Sequence, residues 1–293
     1  MDVFKHDSPA YFRSHICDDE RALEDLDNIV VAVEGATICA TVRVVPRQQY
    51  FDGRVVSMGG IAEVSTKEAY RSKGLASKLL QAAIDGPLSR MELSCLHTNF
   101  DRLGGFYARH GWTSVEIRAV TVSITSLSDS LPPDVTIAPL DIHDKAETIL
   151  QAYHRASSAM NGPIVRSVSY ITKWIAARHA RYGIRSMGAF APDGTLLGYV
   201  FGMVNAKNAH NVHVDELIVP STGNDKTARI LSEHLLASLV VELPLTAGLP
   251  EPLALGLHLP PTDEVHVDRG WMYRGGTDSV RFDELVYWIT DAF

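Results

Sequence analysis

Residues Ile61 to Leu80 read IAEVSTKEAYRSKGLASKLL. The stretch opens with apolar and β-branched residues, passes through Arg71-Ser72-Lys73-Gly74-Leu75-Ala76, and ends in a helical pattern with Leu75, Leu79, Leu80, Ala83 and Ile84 on one side. That order predicts strand, glycine-containing turn, helix. A turn that opens directly into a helix leaves the first backbone N–H groups without internal acceptors and aims them, with the positive end of the helix dipole, at whatever lies in front. An anion fits there. Gly74 carries no Cβ to obstruct close approach, Ala76 is the next smallest choice, and Arg71 and Lys73 add positive charge suited to a pyrophosphate.

Working outward, a second segment follows at Phe106-Tyr107-Ala108-Arg109-His110-Gly111-Trp112. The arginine-x-x-glycine-x-alanine spacing, the apolar strand before it, the amphipathic helix after it and this aromatic segment together resemble the GCN5-related N-acetyltransferases. In that family the first element is an acyl-CoA signature, and the tyrosine of the second commonly protonates the departing thiolate. The resemblance therefore implies acetyl-CoA as co-substrate, with Arg71, Ser72, Lys73, Gly74, Leu75, Ala76 and also Ser77 against the pyrophosphate. It sets the backbone of Val64 and Thr66 beside the pantetheine amides. A phenol, ordinarily near pKa 10, can deliver a proton to a thiolate near 8.5 without itself being ionised at neutral pH, so Tyr107 is the expected general acid, against the plain alternative of a packing tyrosine. An alkylammonium has no lone pair, so a base is also needed. Glu63 is the first candidate, although it alternates away from Val64 and Thr66; the free α-carboxylate of Phe293 is the second, suggested by relatives of the enhanced-intracellular-survival type. Asp215 and Glu216 are candidates for an acidic wall.

The 293 residues, 46% hydrophobic and 21% charged, are ordinary for a soluble globular protein of one large or two medium domains. A formal net charge of −8 argues against a nucleic-acid partner and is compatible with a cationic substrate. Cys17, Cys39 and Cys95 form no paired spacing, which suits a reducing, cytoplasmic compartment. MDVFKHDSPAYF lacks the apolar run of a secretory signal, and the most apolar window, Leu235 to Leu249, is interrupted by Glu242 and Pro244, so no membrane association is expected. Neither His210 with His213 nor His258 with His266 has zinc-site context, so no metal is expected. Ser221 to Thr227 lacks the first glycine of a nucleotide-binding loop.

Along the chain, Ile29–Val33 and Ala36–Val45 predict a hairpin, Pro46–Gly53 a connection, Arg54–Thr66 a third strand, Met91–His97 a buried strand and Arg102–His110 a short helix, after helical material around Asp18–Asp27. Ser126–Asp134, with Pro132-Pro133, reads as a linker. The same order then returns: a strand at Val135–Pro139, helices at Asp144–Ala156 and Val168–Ala180, a hairpin through Pro192–Thr195, a strand at Val212–Val219, a helix at Asp225–Val241 and a strand at Leu253–His258. The expected fold is α/β with mixed sheets: two tandem acyl-CoA N-acyltransferase folds, residues 1–127 binding CoA and catalysing, residues 135–293 degenerate. Degeneracy follows from Pro220–Lys226, which has no arginine three before its glycine and places Asp225 where an anion would dock. The survival-type relatives also carry a sterol-carrier-like domain for which these residues are too few, and the short N-terminus leaves the family's usual first strand unassigned.

The functional expectation is transfer of acetyl from acetyl-CoA to a primary amine of a small molecule by direct attack in a ternary complex. Alternatives are a non-catalytic acyl-CoA-binding or sensing protein and a protein-lysine acyltransferase. Homo-oligomerisation, acyl-chain length and the identity of the amine stay open.

Overall fold

The structure, a computed structural model, describes residues 9–17, 26–122, 129–205, 208–220, 225–243, 251–255, 264–275, 285–286 and 291. Backbone contacts divide it into two units. The first takes the described residues from Pro9 to Ile117 together with Arg269–Gly275 and Leu285; the second takes those from Arg118 to Asp268 with Val286 and Asp291.

In the first unit, helix α1 (Pro9–Cys17) precedes a meander of β1 (Ile29–Glu34), β2 (Thr37–Phe51) and β3 (Arg54–Thr66). Helix α2 (Leu75–Asp85) then crosses to β4 (Leu93–His97), followed by α3 (Phe100–Ala108) and the short β5 (Thr113–Ser114). Strands β1 to β3 pair antiparallel, whereas β3 and β4 are parallel, as a helical crossover requires. The predicted connection at Pro46–Gly53 is instead strand: β2 runs through Pro46, which pairs with Gly59, and the hairpin turns at Asp52-Gly53. Proline is tolerated because β1 pairs with β2 only as far as Arg43, so one side of β2 needs no ladder hydrogen bond at Pro46. Of the predicted helix at Asp18–Asp27, residues 18–25 lie outside the described set, and Leu26–Asn28 form a 3-10 turn.

The second unit repeats the plan. Strand β6 (Ile117–Val122) leaves the first half, and β7 (Thr136–Pro139) begins the next meander after the predicted linker, of which residues 123–128 are outside the described set. Helix α4 (Ala146–Ser157) and a helical segment made of α5 (Val168–Tyr170), a π stretch (Ile171–Ile175) and α6 (Ala176–Tyr182) follow. Strands β8 (Arg185–Phe190), β9 (Leu196–Asn205) and β10 (Asn208–Ile218) complete the antiparallel run, and α7 (Asp225–Glu242) crosses to β11 (Glu251–Leu255), parallel to β10. Then come β12 (Glu264–Asp268) and β13 (Trp271–Gly275).

The sheets are ordered β1-β2-β3-β4-β13-β5 and β12-β6-β11-β10-β9-β8-β7. Strand β13, late in the chain, pairs with β4 and β5 in the first sheet, while β6, from the first half, pairs with β11 in the second. A linear division at residues 127 and 135 therefore misplaces one strand of each sheet. The physical reason is that a strand is recruited by ladder hydrogen bonds and matching apolar faces, not by proximity in sequence: Met272 and Tyr273 of β13 are buried in the two cores of the first sheet.

Those cores lie on opposite faces of that sheet. One gathers Val42, Val44, Leu79, Leu80, Ala83, Tyr107 and Trp112 beneath α2 and α3; the other gathers Phe51, Val56, Met58, Leu93, Cys95 and Tyr273. The second sheet is likewise covered on both faces, by α4 to α6 over Tyr199 and Phe201 and by α7 over Met187, Val200 and Val214. Among the described residues no helix is long and apolar enough to cross a membrane.

Candidate active site

Strands β3 and β4 are in register only at Met58↔Leu93, Gly59↔Ser94 and Gly60↔Cys95. Beyond Gly60 the side of β3 that would face β4 carries no ladder partner among the described residues, so backbone groups from Ala62 to Thr66 are presented along an open edge. Within that edge β3 bulges. Ala62 pairs with Arg43 and Ser65 with Thr41, so Glu63 and Val64 together oppose one residue of β2, and Glu63 takes a left-handed φ of 51°. The Thr41 hydroxyl holds the bulge by donating to the Glu63 carbonyl at 3.0 Å.

The bulge sends neighbouring side chains to opposite faces. Val64 packs against the cluster under α2, whereas the Glu63 carboxylate lies 3.0 Å from His15 Nδ1 of α1 and 3.5 Å from the Arg43 guanidinium. Burial pushes the Glu63 carboxyl up, but the hydrogen bond from His15 and the charge of Arg43 outweigh it and leave it below its ordinary value. The carboxylate, with 24% of its side chain exposed, is thus ionised and already engaged.

Strand β3 gives way to the cradle turn. Ser72 (φ 62°) and Gly74 (φ 73°) are both left-handed, a backbone pattern that gathers successive N–H groups into an anion-binding concavity. Gly74 is the residue that caps α2, and no side chain caps the helix there. The first N–H of α2 to find a backbone acceptor is that of Lys78, on the Gly74 carbonyl at 3.1 Å, so those of Leu75, Ala76 and Ser77 have none within the helix. Apart from its chain neighbours, no described residue places an atom within 4 Å of where a Cβ on Gly74 would stand, so the positive φ by itself explains the glycine. The cations lie within the turn: Arg71 Nε donates to the Thr66 carbonyl at 3.2 Å, and Lys73 Nζ sits 4.9 Å from the centre of the Tyr70 ring.

Helix α3 is cut to length by its ends. Asn99 caps it by accepting from the Arg102 N–H at 3.1 Å, and Gly111 (φ 91°) terminates it, allowing the Trp112 N–H to return to the Tyr107 carbonyl at 3.2 Å. Tyr107 is 7% exposed, edge-on to Trp112 and Phe106, and its hydroxyl makes no hydrogen bond to a described residue. Burial raises the phenol to about 12, so it is protonated at any physiological pH. It shares one core cluster with Leu79, Leu80, Val64 and Leu75, the residues that seat the end of β3 and the start of α2. A hydrogen bond of 2.8 Å between Ser77 Oγ and His110 Nε2 links the same two helices at their ends.

The structure thus brings Val64, Thr66, Arg71 to Ser77 and Tyr107 to one end of the first sheet, with Glu63 on the opposite face of β3. Phe293 lies outside the described residues. The acidic wall expected at Asp215 and Glu216 does not exist: both are buried in the second unit. Arg166 donates to both oxygens of Glu216 at 2.9 and 2.7 Å and to Asp291 at 2.8 Å, while Arg178 holds Asp215 at 3.0 Å. Charges sealed this way cannot face a substrate. A cavity of about 500 Å³ lined by Leu140, Ile142, His179, Ile184 and Met187 also belongs wholly to the second unit and has none of the cradle or α3 residues on its wall. Sequence reasoning missed His15 and Arg43, which lie 48 and 20 positions from Glu63 with no local pattern joining them. His110 stood within the quoted aromatic segment, and its meeting with Ser77 is a product of helix packing.

Comparison with known proteins agrees with this geometry. Residues 1–115 match the family model described as acetyltransferase (GNAT) domain. Solved structures align over most of the chain: a conserved Enterococcus faecalis protein described as a probable N-acyltransferase (TM-score 0.68, 18% identity, 87% of this chain and 64% of that one) and a GCN5-related N-acetyltransferase from Kribbella flavida (0.66, 19%, 91% and 64%). Eis1 from Mycobacterium abscessus aligns with TM-score 0.59 and 16% identity over 88% of this chain and 65% of that one. This chain spans slightly less than two thirds of the length of these proteins. Among curated proteins none matches it by sequence. At these identities the solved structures show the fold, that of the GCN5-related N-acetyltransferases, and the family model matches only its first copy.

Proposed function

We propose that the protein is a cytoplasmic N-acetyltransferase that moves an acetyl group from acetyl-CoA to a primary amine of a small molecule by direct attack in a ternary complex. The observation that carries this reading is the uncapped start of α2, opening from the unpaired edge of β3 and sharing a core with the buried side chain of Tyr107. Acetyl-CoA would supply a thioester carbonyl open to attack and a thiol leaving group. The N–H groups of Leu75, Ala76 and Ser77, with Arg71 and Lys73 beside them, would hold its diphosphate. The edge of β3 around Val64 offers backbone partners for amides, while the Thr66 carbonyl already accepts from Arg71.

Tyr107 would keep its proton at Oη until a thiolate forms beside it. A phenol near 12 is a weak acid toward a thiol of ordinary acidity. Desolvation that raises the phenol also raises a thiolate leaving into the same surroundings, which narrows the mismatch. Glu63, held below its ordinary value, is a correspondingly weak base, and this engagement by His15 and Arg43 is the observation that favours the second reading, a chain that binds acyl-CoA without turnover. Release of free thiol from acetyl-CoA in the presence of an amine panel separates the two: release above the amine-free rate supports transfer, and CoA binding without release for any amine leaves the binding-only reading. The net charge of −8 supports a cationic amine, for which kcat/KM falls as ionic strength rises; flat salt dependence contradicts it.

A further inference from the structure

The hydrogen bond between Ser77 Oγ and His110 Nε2, 2.8 Å long, joins the first turn of α2 to the residue three past Tyr107. We infer that His110 is a positioning residue of the cofactor site, acting through Ser77, which it holds with its hydroxyl available to an anion at the start of α2. This rests on the reading of that turn as a CoA site.

Ser77 is the third residue of α2, and helical side chains tilt toward the N-terminus, so its hydroxyl belongs with the free N–H groups of the first turn. Left alone, a serine here has carbonyls of the preceding turn within reach and can spend its proton on them. His110 prevents that. Its own place is secured twice, by its N–H on the Tyr107 carbonyl at 2.9 Å and by the Phe106 ring 5.4 Å away, edge-on. Burial first, and then the neighbouring charge of Arg109, push the imidazole below its ordinary value, so at neutral pH it carries one proton that can sit on either nitrogen. With the proton on Nε2 the ring donates to Ser77 Oγ, and the serine proton is left over for a further acceptor. A phosphate oxygen in front of the turn selects that arrangement, since it gains a donor that a lone serine would not reliably present.

Calorimetric titration of the full chain with CoA tests this. His110→Phe keeps the ring against Phe106 and removes the nitrogen; Ser77→Ala removes the hydroxyl. Each should weaken CoA binding about tenfold, the size of one hydrogen bond to a charged group. The double variant should lose no more than either single one, because both act through the same bond. His110→Gln, whose side-chain amide can still donate to Ser77, should recover most of the loss. Wild-type affinity in His110→Phe and Ser77→Ala, or losses that multiply in the double variant, overturn the inference. Should His110→Phe fail to fold, judged by its thermal unfolding, Ser77→Ala and His110→Gln decide the matter. A wild-type chain that binds no CoA overturns the cradle itself and this inference with it.

Discussion

The two crossovers, β3–α2–β4 in the first unit and β10–α7–β11 in the second, start from the same backbone device and diverge in what surrounds it. Both strands bulge three residues before their ends, at Glu63 ahead of Thr66 and at Asp215 ahead of Ile218, and both bulges bear a carboxylate. Glu63 keeps 24% of its side chain exposed and is pulled below its ordinary value, whereas the Asp215 side chain is 0% exposed and burial raises it despite Arg178 and His213. The next residue repeats the contrast. Val64 leaves the edge of β3 apolar and open, while Glu216 draws Arg166, Tyr199 and, through Arg166, Asp291 into a sealed ion network. Helix α2, after β3, begins at a glycine with no capping side chain. One copy is left with unsatisfied donors that a ligand can use. In the other, the interior has supplied its own partners.

If this contrast is functional, calorimetry should find one CoA per chain, and Gly74→Val should abolish binding altogether. A β-branched residue at φ 73° is strained and would displace the turn, yet the exposed position leaves the core intact. A stoichiometry near two would break the comparison outright. The sealed network should weigh most on stability: Arg166→Met, which strands two buried carboxylates, is expected to cost about 3–5 kcal/mol in urea unfolding, and Arg43→Met only about 1 kcal/mol, since Glu63 retains His15 and some water. Equal costs would show that the two bulges are not electrostatically different.

Tyr107→Phe keeps the ring packed on Trp112 and deletes only the hydroxyl proposed as proton donor. Single-turnover measurement should show kcat reduced on the order of a hundredfold with CoA affinity little changed. A near-normal rate would make Tyr107 a packing residue. The pH dependence of unfolding gives the smallest effect. The folded value of Glu63 is lowered, so its contribution is present above the unfolded value and lost as pH falls through the folded one; Glu63→Gln should cost about 1 kcal/mol near pH 7 and nothing at acid pH. For Asp215 the sign reverses. Its folded value is raised, so wild-type stability is lost as pH rises from the unfolded value through the folded one, and Asp215→Asn should gain on the wild type over that rise. Parallel profiles for the two variants would contradict the opposite shifts.

Local chemistry makes the cradle legible in the sequence itself. A β-branched run, small residues in a basic turn and a helical apolar stripe are all interactions between near neighbours, so Ile61 to Leu80 announce strand, turn and helix directly. The same holds for the short helix expected at Arg102–His110, which the structure forms at Phe100–Ala108 with Tyr107 near its end. The repeat of element order is likewise visible in periodicity and turn residues. Pro46 misleads because the cost of proline depends on whether a partner strand lies alongside, and only the sheet decides that. Tertiary structure alone sets the exchange of β6 and β13 between the sheets, the pairing of Glu63 with His15 and Arg43, the burial of Asp215 and Glu216, and the meeting of Ser77 with His110. Each depends on partners distant in the chain, brought together by ladder pairing and core packing, and the charge state and reach of a side chain follow from its partners rather than from its neighbours in sequence.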